Sequence, residues 1–164
     1  LRQSLGLDQP VVVQFAKFLG RVATGDLGLS FRNQRPVAQL IAERLPATLE
    51  LVFVATLLAL ALGIPLGVWS ALRPDSWITR LIQSASLIGI STPTFVTGIV
   101  LILIFSVWLK WLPSFGPGDV VRLGWWSTGY LTTGGIKALI LPAITLGLFQ
   151  LTLIMRLVRA EMLE

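Results

Sequence analysis

Long stretches without a charged side chain dominate the pattern of this chain. Residues 51–72, 81–109 and 138–155 contain no Asp, Glu, Lys or Arg, giving runs of 22, 29 and 18 residues. A helix needs about 20 apolar residues to cross a hydrocarbon core of about 30 Å. Three membrane-spanning helices are predicted, at about 47–72, 78–109 and 136–158. Runs such as Leu57–Leu62 and Ile99–Ile104 do not alternate as barrel strands do, and in lipid a helix satisfies its own backbone.

Two shorter segments precede the spans. Asp8 and Pro10 predict a helix start, after which Phe15, Phe18, Leu19 and Val22 share one face while Lys17 and Arg21 occupy another. Gly25-Asp26-Leu27-Gly28 predicts a turn. A second start is read at Pro36, with Val37, Leu40, Ile41 and Leu45 in a stripe and Glu43 and Arg44 off it. Residues 1–46 therefore read as surface amphipathic helices, and the first span as beginning just after Pro46.

Within the spans the polar and small positions carry the detail. Ala55, Ala59, Gly63, Gly67 and Ala71 recur at every fourth position, a stripe that admits another helix closely. Arg73-Pro74-Asp75-Ser76 predicts a turn. The second span holds Gly89, Ser91, Thr92, Pro93, Thr94, Thr97 and Gly98. Pro93 cannot donate to the Gly89 carbonyl, so a kink is expected, with neighbouring hydroxyls available to the freed group. Ser91, Thr92, Pro93, Thr94 and Thr97, with Gln150 of the third span, are the candidates for a polar pathway; helix-to-helix hydrogen bonding is the plainer use of each. Residues 110–135 form a loop with Trp111, Gly116-Pro117-Gly118 and Trp125-Trp126, as an aromatic interfacial belt requires.

Composition narrows the chemistry. Hydrophobic residues make up 54% and charged residues 13%, with mean hydropathy +0.81, against about 25% charged in soluble domains. The absence of Cys and His excludes disulfides, imidazole bases and the usual zinc or haem ligands from this chain. The net charge of +5 suits residues flanking spans, and no basic stripe with interleaved aromatics points to nucleic acid. No glycine-rich phosphate loop of the Gly-x-x-x-x-Gly-Lys-Ser/Thr type occurs. Glu50, at one end of the first span, reads as an interfacial residue. Leu1 reads as an interior residue of a longer protein, and Arg159–Glu164 as a helix that continues.

Gly25-Asp26-Leu27-Gly28-Leu29-Ser30, Arg35-Pro36-Val37, Glu43-Arg44-Leu45-Pro46-Ala47-Thr48-Leu49 and Gly63-Ile64-Pro65-Leu66-Gly67 together resemble the permease subunits of ATP-binding-cassette importers for dipeptides, oligopeptides, glutathione and nickel. Gly89-Ile90-Ser91-Thr92-Pro93-Thr94-Phe95, Trp111-Leu112-Pro113 and Leu141-Pro142-Ala143-Ile144-Thr145-Leu146-Gly147 are similar to later motifs of the same family. The ordered series covers essentially the whole chain.

The resemblance implies an all-α membrane protein of the type I ABC importer permease fold, multi-pass in the bacterial inner membrane, of which these are the second to fourth of six spans. Residues 1–46 and loop 110–135 would be extracytoplasmic. Arg156 and Arg159 would lead into a cytoplasmic coupling region beginning at 159–164. The implied partners are a homologous permease, two ATPase subunits and an external solute-binding protein. The chain would bind no cofactor, with ATP and magnesium held by the ATPases. Two other readings are an ion-coupled secondary carrier, which commonly places ionisable residues within its spans, and a non-transporting membrane scaffold.

Charge bias and family topology conflict. Arg2, Lys17, Arg21, Arg32, Arg35, Arg44, Lys110, Arg122 and Lys137 fall on one side, nine in all, against four, Arg73, Arg80, Arg156 and Arg159, on the other. The positive-inside rule would put the nine in the cytoplasm, whereas the family topology puts them outside. We follow the family, because an earlier span often sets orientation and long segments translocate despite their charge. With single cysteines at Ser30 and Ser76 of the complete protein, an impermeant external reagent is expected to label position 30 and spare position 76. The reverse result overturns the assignment.

Overall fold

The structure is a computed structural model that describes residues 10–116 and 118–164. The expected helix start at Asp8, Arg2 of the charge count and Pro117 of the Gly-Pro-Gly loop lie outside the described residues. The chain divides into two compact units, ending and beginning at Leu45 and Pro46.

In the N-terminal unit, α1 spans Val11–Ala23. Pro10 at its N-cap has no N–H that a helix would leave idle. The helix ends where Gly25 adopts φ +83° and Asp26 N–H turns back to the Arg21 carbonyl at 2.9 Å. None of its residues is buried. Asp26 then accepts from Gly28 N–H at 2.9 Å, and Gly28 takes φ +79°. A two-stranded ribbon follows, β1 (Leu29–Ser30) antiparallel to β2 (Arg35–Pro36). The Arg35 guanidinium forks onto the Glu43 carboxylate. Both side chains are exposed, so this pair contributes little to stability.

Helix α2 runs unbroken from Val37 to Leu72. The helix start read at Pro36 is found, α2 opening at Val37 directly after it, but the separate span from Ala47 is corrected: Pro46 sits well inside α2. Pro46 and Pro65 each cost one backbone bond, to the Ala42 and Ala61 carbonyls, yet neither interrupts the helix. Apolar helices tolerate such losses when neighbours cover the freed carbonyls, and Pro46 is among the most deeply buried side chains.

The turn after α2 is tied by Thr79, fully buried, whose hydroxyl donates to the Arg73 carbonyl at 2.7 Å. Ser76 caps α3 (Trp77–Ser91) by accepting from Ile78 N–H. Here the structure departs from a merely kinked second span. Helix α3 stops at Ser91, α4 (Thr94–Ile102) starts after Pro93 and runs on as a π-helical segment, Leu103–Trp108, and the two halves meet at 105°. Thr92, preceding proline, is pushed to extended geometry (φ −92°, ψ 124°), and Pro93 serves as the N-cap of α4 with φ −57° and ψ 137°. Loop 110–135 is also more ordered than read: it contains a hairpin, β3 (Val121–Leu123) with β4 (Trp126–Thr128). Helix α5 then begins at Thr133, not near 136, and reaches Leu163.

Helix α2 packs along α5. Ala55, Ala59, Gly63, Gly67 and Ala71 are all buried. A methyl at Gly63 would sit 3.1 Å from the Leu151 carbonyl oxygen, and one at Gly67 2.8 Å from the Met155 carbonyl oxygen. From the other side, a methyl at Gly147 would meet Leu58 at 2.9 Å and the Ala55 carbonyl at 3.2 Å. The paired positions rise together along both helices, so α2 and α5 run in the same direction. The intervening chain must return along the length of α2, which makes the bent α3–α4 pair one broken span and gives three crossings. From Glu50 to Leu72 the helix rises about 33 Å at 1.5 Å per residue, enough for a hydrocarbon core of about 30 Å.

Gly67→Ala is expected to lower the stability of the complete protein by about 1–3 kcal/mol, because the added methyl meets backbone that cannot yield. Gly20→Ala on α1, where nothing lies within 4 Å, should be neutral or mildly stabilising. Unfolding temperatures in detergent compare the two; equal effects would contradict the packing account.

Candidate functional site

The break between α3 and α4 opens a cavity of about 450 Å³ against α5. Ser86, Thr92, Thr94, Thr97, Thr145 and Thr152 contribute its hydroxyls, and Gly89, Met155, Phe149 and aliphatic side chains complete the wall. Glycine at position 89 leaves room for the Thr152 hydroxyl, 3.3 Å from where a methyl would stand. Several hydroxyls are already engaged: Thr92 donates to the Ile88 carbonyl at 2.8 Å, Thr145 to Leu141 at 2.8 Å and Thr152 to Leu148 at 2.9 Å. Back-bonding of this kind spends the donor on the helix itself. Thr92, Thr145 and Thr152 consequently present methyl groups and spare acceptor lone pairs to the cavity, while Ser86, Thr94 and Thr97 add further hydroxyls.

Of the pathway candidates, the structure brings Thr92, Thr94 and Thr97 to this cavity. Ser91 and Pro93 shape the break without lining it, and half-buried Gln150 lies outside the wall although its neighbours Phe149 and Leu151 belong to it. Thr145 and Thr152 were not among the candidates. Their seven-residue spacing, two helical turns, puts them on one face and was the available signal. A second cavity of about 280 Å³ lies on the other side of the α4–α5 contact, lined by Gly98, Pro113, Ala138 and Thr145 among others. Thr145 borders both cavities, and a methyl on Gly98 would stand 3.5 Å from its Cγ2.

At the end of the bundle near the hairpin, Glu50 is buried against protein at 6% exposure. One carboxylate oxygen accepts from Gly129 N–H at 3.1 Å, while Oε1 has no protein partner among the described residues. The Tyr130 hydroxyl donates to the Glu50 backbone carbonyl at 2.8 Å. Thr132 caps α5 by accepting from Gly135 N–H at 3.0 Å and also donates to the Asp119 carbonyl. Gly118, Gly129, Gly134 and Gly135 are packed so closely that a methyl on Gly135 would fall 2.3 Å from the Gly129 oxygen. The loop is thus fastened to α2 by a carboxylate and a phenol, and to the start of α5 by glycine contacts. Burial, aided by the nearby Glu50 carboxylate, raises the Tyr130 pKa above its ordinary value of 10.0.

At the opposite end, beside the Arg73–Ser76 turn, Arg159 of α5 meets Gln83 of α3. With the carboxamide oxygen turned toward the guanidinium, Gln83 accepts from both terminal nitrogens of Arg159, at 3.0 Å from Nη2. Arg156 is exposed.

Helices long and apolar enough to cross a bilayer, packed through small residues and interrupted at an internal cavity, define a polytopic helical membrane protein. A family model described as binding-protein-dependent transport system inner membrane component matches residues 63–164, and the model of its N-terminal region matches residues 1–52. The chain belongs to this family. The oligopeptide transport system permease protein AppB of Bacillus subtilis is 41% identical over 163 residues, covering 99% of this chain and 50% of that protein. The dipeptide transport system permease protein DppB of Alkalihalophilus pseudofirmus is 36% identical over 176 residues, covering 100% of this chain and 53% of the relative. A Brucella abortus protein named for a peptide transport system is 42% identical over 166 residues, with 100% and 50% covered. The chain spans about half the length of these relatives.

Tyr130→Phe is expected to cost about 0.5–1.5 kcal/mol, the net worth of one hydrogen bond. Since the folded-state pKa is raised, the folded protein holds its proton where the unfolded phenol releases it. The tyrosine's contribution is therefore complete below about pH 10 and lost as pH rises through the raised value. Thermal melts of wild type and Tyr130→Phe across that range should converge at high pH; a constant gap would contradict the assignment.

Proposed function

We propose that the complete protein is the membrane permease subunit of an ATP-driven importer in the bacterial inner membrane, translocating peptides or a similar small solute. One observation carries this reading: family membership across both units, with relatives named for dipeptide and oligopeptide transport. The chain lacks a phosphate-binding loop of its own, so ATP and magnesium belong on two separate ATPase subunits. A second, homologous permease and an external solute-binding protein complete the assembly. Arg156 and Arg159 lead toward the segment that couples to the ATPases.

We assign the solute pathway to the α3–α4 break, with Thr92, Thr94 and Thr97 at the cavity wall, Ser91 and Pro93 setting its shape and Gln150 on the facing helix. A mostly aliphatic wall with scattered hydroxyls, three of them (Thr92, Thr145 and Thr152) engaged by their own helix, supports weak, unselective contact. Passage needs binding that is favourable enough to enter and weak enough to leave. Selection among solutes then rests with the external binding protein.

Uptake of a labelled dipeptide or oligopeptide by cells carrying the complete transporter should be lost when this protein is deleted and when a partner ATPase is inactivated. Thr97→Phe, which fills the cavity, should reduce uptake by about tenfold at unchanged membrane abundance, equivalent to about 1.4 kcal/mol on the barrier. Uptake that survives ATP depletion and follows an imposed proton gradient overturns the ATP-driven reading. Unchanged uptake after replacing Ser91, Thr92, Thr94 and Thr97 by Ala or Val overturns the pathway.

A further inference from the structure

A third cavity, of about 160 Å³, lies among α2, α3 and α5 beside the Arg73–Ser76 turn, and its walls include Ser70, Gln83, Ser86, Arg156 and Arg159. Its size compares with cavities of about 150 Å³ that hold a benzene-sized guest. Its chemistry is one-sided. Ser70 is 1% exposed, and its hydroxyl has no partner among the described residues. The buried Nε of Arg159 has none either. Gln83, with its oxygen committed to Arg159, turns its amide N–H groups away from the guanidinium. Neither Asp nor Glu lines this space, and Asp75, Glu161 and Glu164 are exposed.

Buried donors left without acceptors, here Ser70 Oγ and Arg159 Nε, cost stability. What satisfies all of them at once is a compact oxyanion. Arginine pairs bidentately with phosphate oxygens, and the serine and carboxamide supply further donors.

The surroundings indicate where that oxyanion comes from. Trp69 carries the Arg73 guanidinium over its ring at 4.7 Å, and Trp77 is 72% exposed. Tryptophans of this kind mark the headgroup level of a bilayer. Arg80 and Arg156 are also exposed at this end. Exposed Arg156 and buried Ser70 make the cavity lead inward from the surface, and basic pockets between transmembrane helices are a known way of holding anionic lipid headgroups.

We propose that this cavity binds the phosphate of an anionic phospholipid, with Arg159, Ser70 and Gln83 as the inner donors and Arg156 at the mouth. The assignment depends neither on the direction of transport nor on the solute.

Native mass spectrometry of the complete protein, delipidated and then offered phosphatidylglycerol or phosphatidylcholine, tests it. One phosphatidylglycerol should be retained in preference to phosphatidylcholine, and Arg159→Gln should weaken retention by about tenfold, as loss of hydrogen bonds to a charged group implies. Lys17→Gln, which removes the same charge from α1, should leave retention unchanged. If Arg159→Gln does not fold, Ser70→Ala decides, since it removes one hydroxyl and should still weaken retention severalfold. Equal retention of the two lipids, or retention unaffected by Arg159→Gln or by Ser70→Ala, overturns the proposal. Saturation by inorganic phosphate that displaces the lipid at equal affinity overturns the lipid as the source and leaves a free-anion site.

Discussion

Everything in the membrane part of this protein is referred to the seam between α2 and α5. Without a hydrophobic drive inside lipid, two helices stay together through dispersion and close backbone approach. Gly63, Gly67 and Gly147 let side chain meet backbone across that seam at distances a methyl could not share. Because the seam pairs helices running in one direction, the segment between them has to travel back, and the position of the broken span follows from that requirement.

The two ends of the seam are finished in different ways. At the hairpin end a buried carboxylate and a phenol draw an irregular loop onto α2, and four glycines let backbone stack on backbone. At the turn end the finishing groups are donors: Ser70, Gln83 and Arg159 converge with no acid among them. At the first end one oxygen of Glu50 is left without a partner among the described residues. The other is in electrostatic deficit.

Much of this was legible in the sequence, and the parts that were not share a cause. Charge-free runs located the crossings because desolvation excludes ionised groups from lipid whatever the packing. The stripe from Ala55 to Ala71 reflects a helical period that needs no tertiary information. Proline was harder. Its missing N–H is the same at positions 46, 65, 93 and 142, yet only Pro93 breaks the helix. Pro65 and Ala61, whose carbonyl it frees, are both exposed and α2 still runs through them, so local sequence does not state the outcome. The burial of Glu50 was not legible for a similar reason: its partner, Gly129, lies 79 residues away in the chain, beyond any periodic signal. The ribbons β1–β2 and β3–β4 escaped because strands of two or three residues are too short to alternate.

The elbow at Thr92 and Pro93 distributes stiffness unequally. Thr92 N–H closes α3 on Ile88, and the Pro93 carbonyl opens α4 by accepting from Val96, so between these bonds lie only φ and ψ of Thr92 and ψ of Pro93. Pro93 itself holds φ fixed. A change of angle between the two rods therefore turns these few single bonds and breaks neither of the two hydrogen bonds. Parting α2 from α5 would instead strip contacts from backbone atoms. In mechanical terms, the packed α2–α5 seam is a rail and the α3–α4 pair an articulated arm.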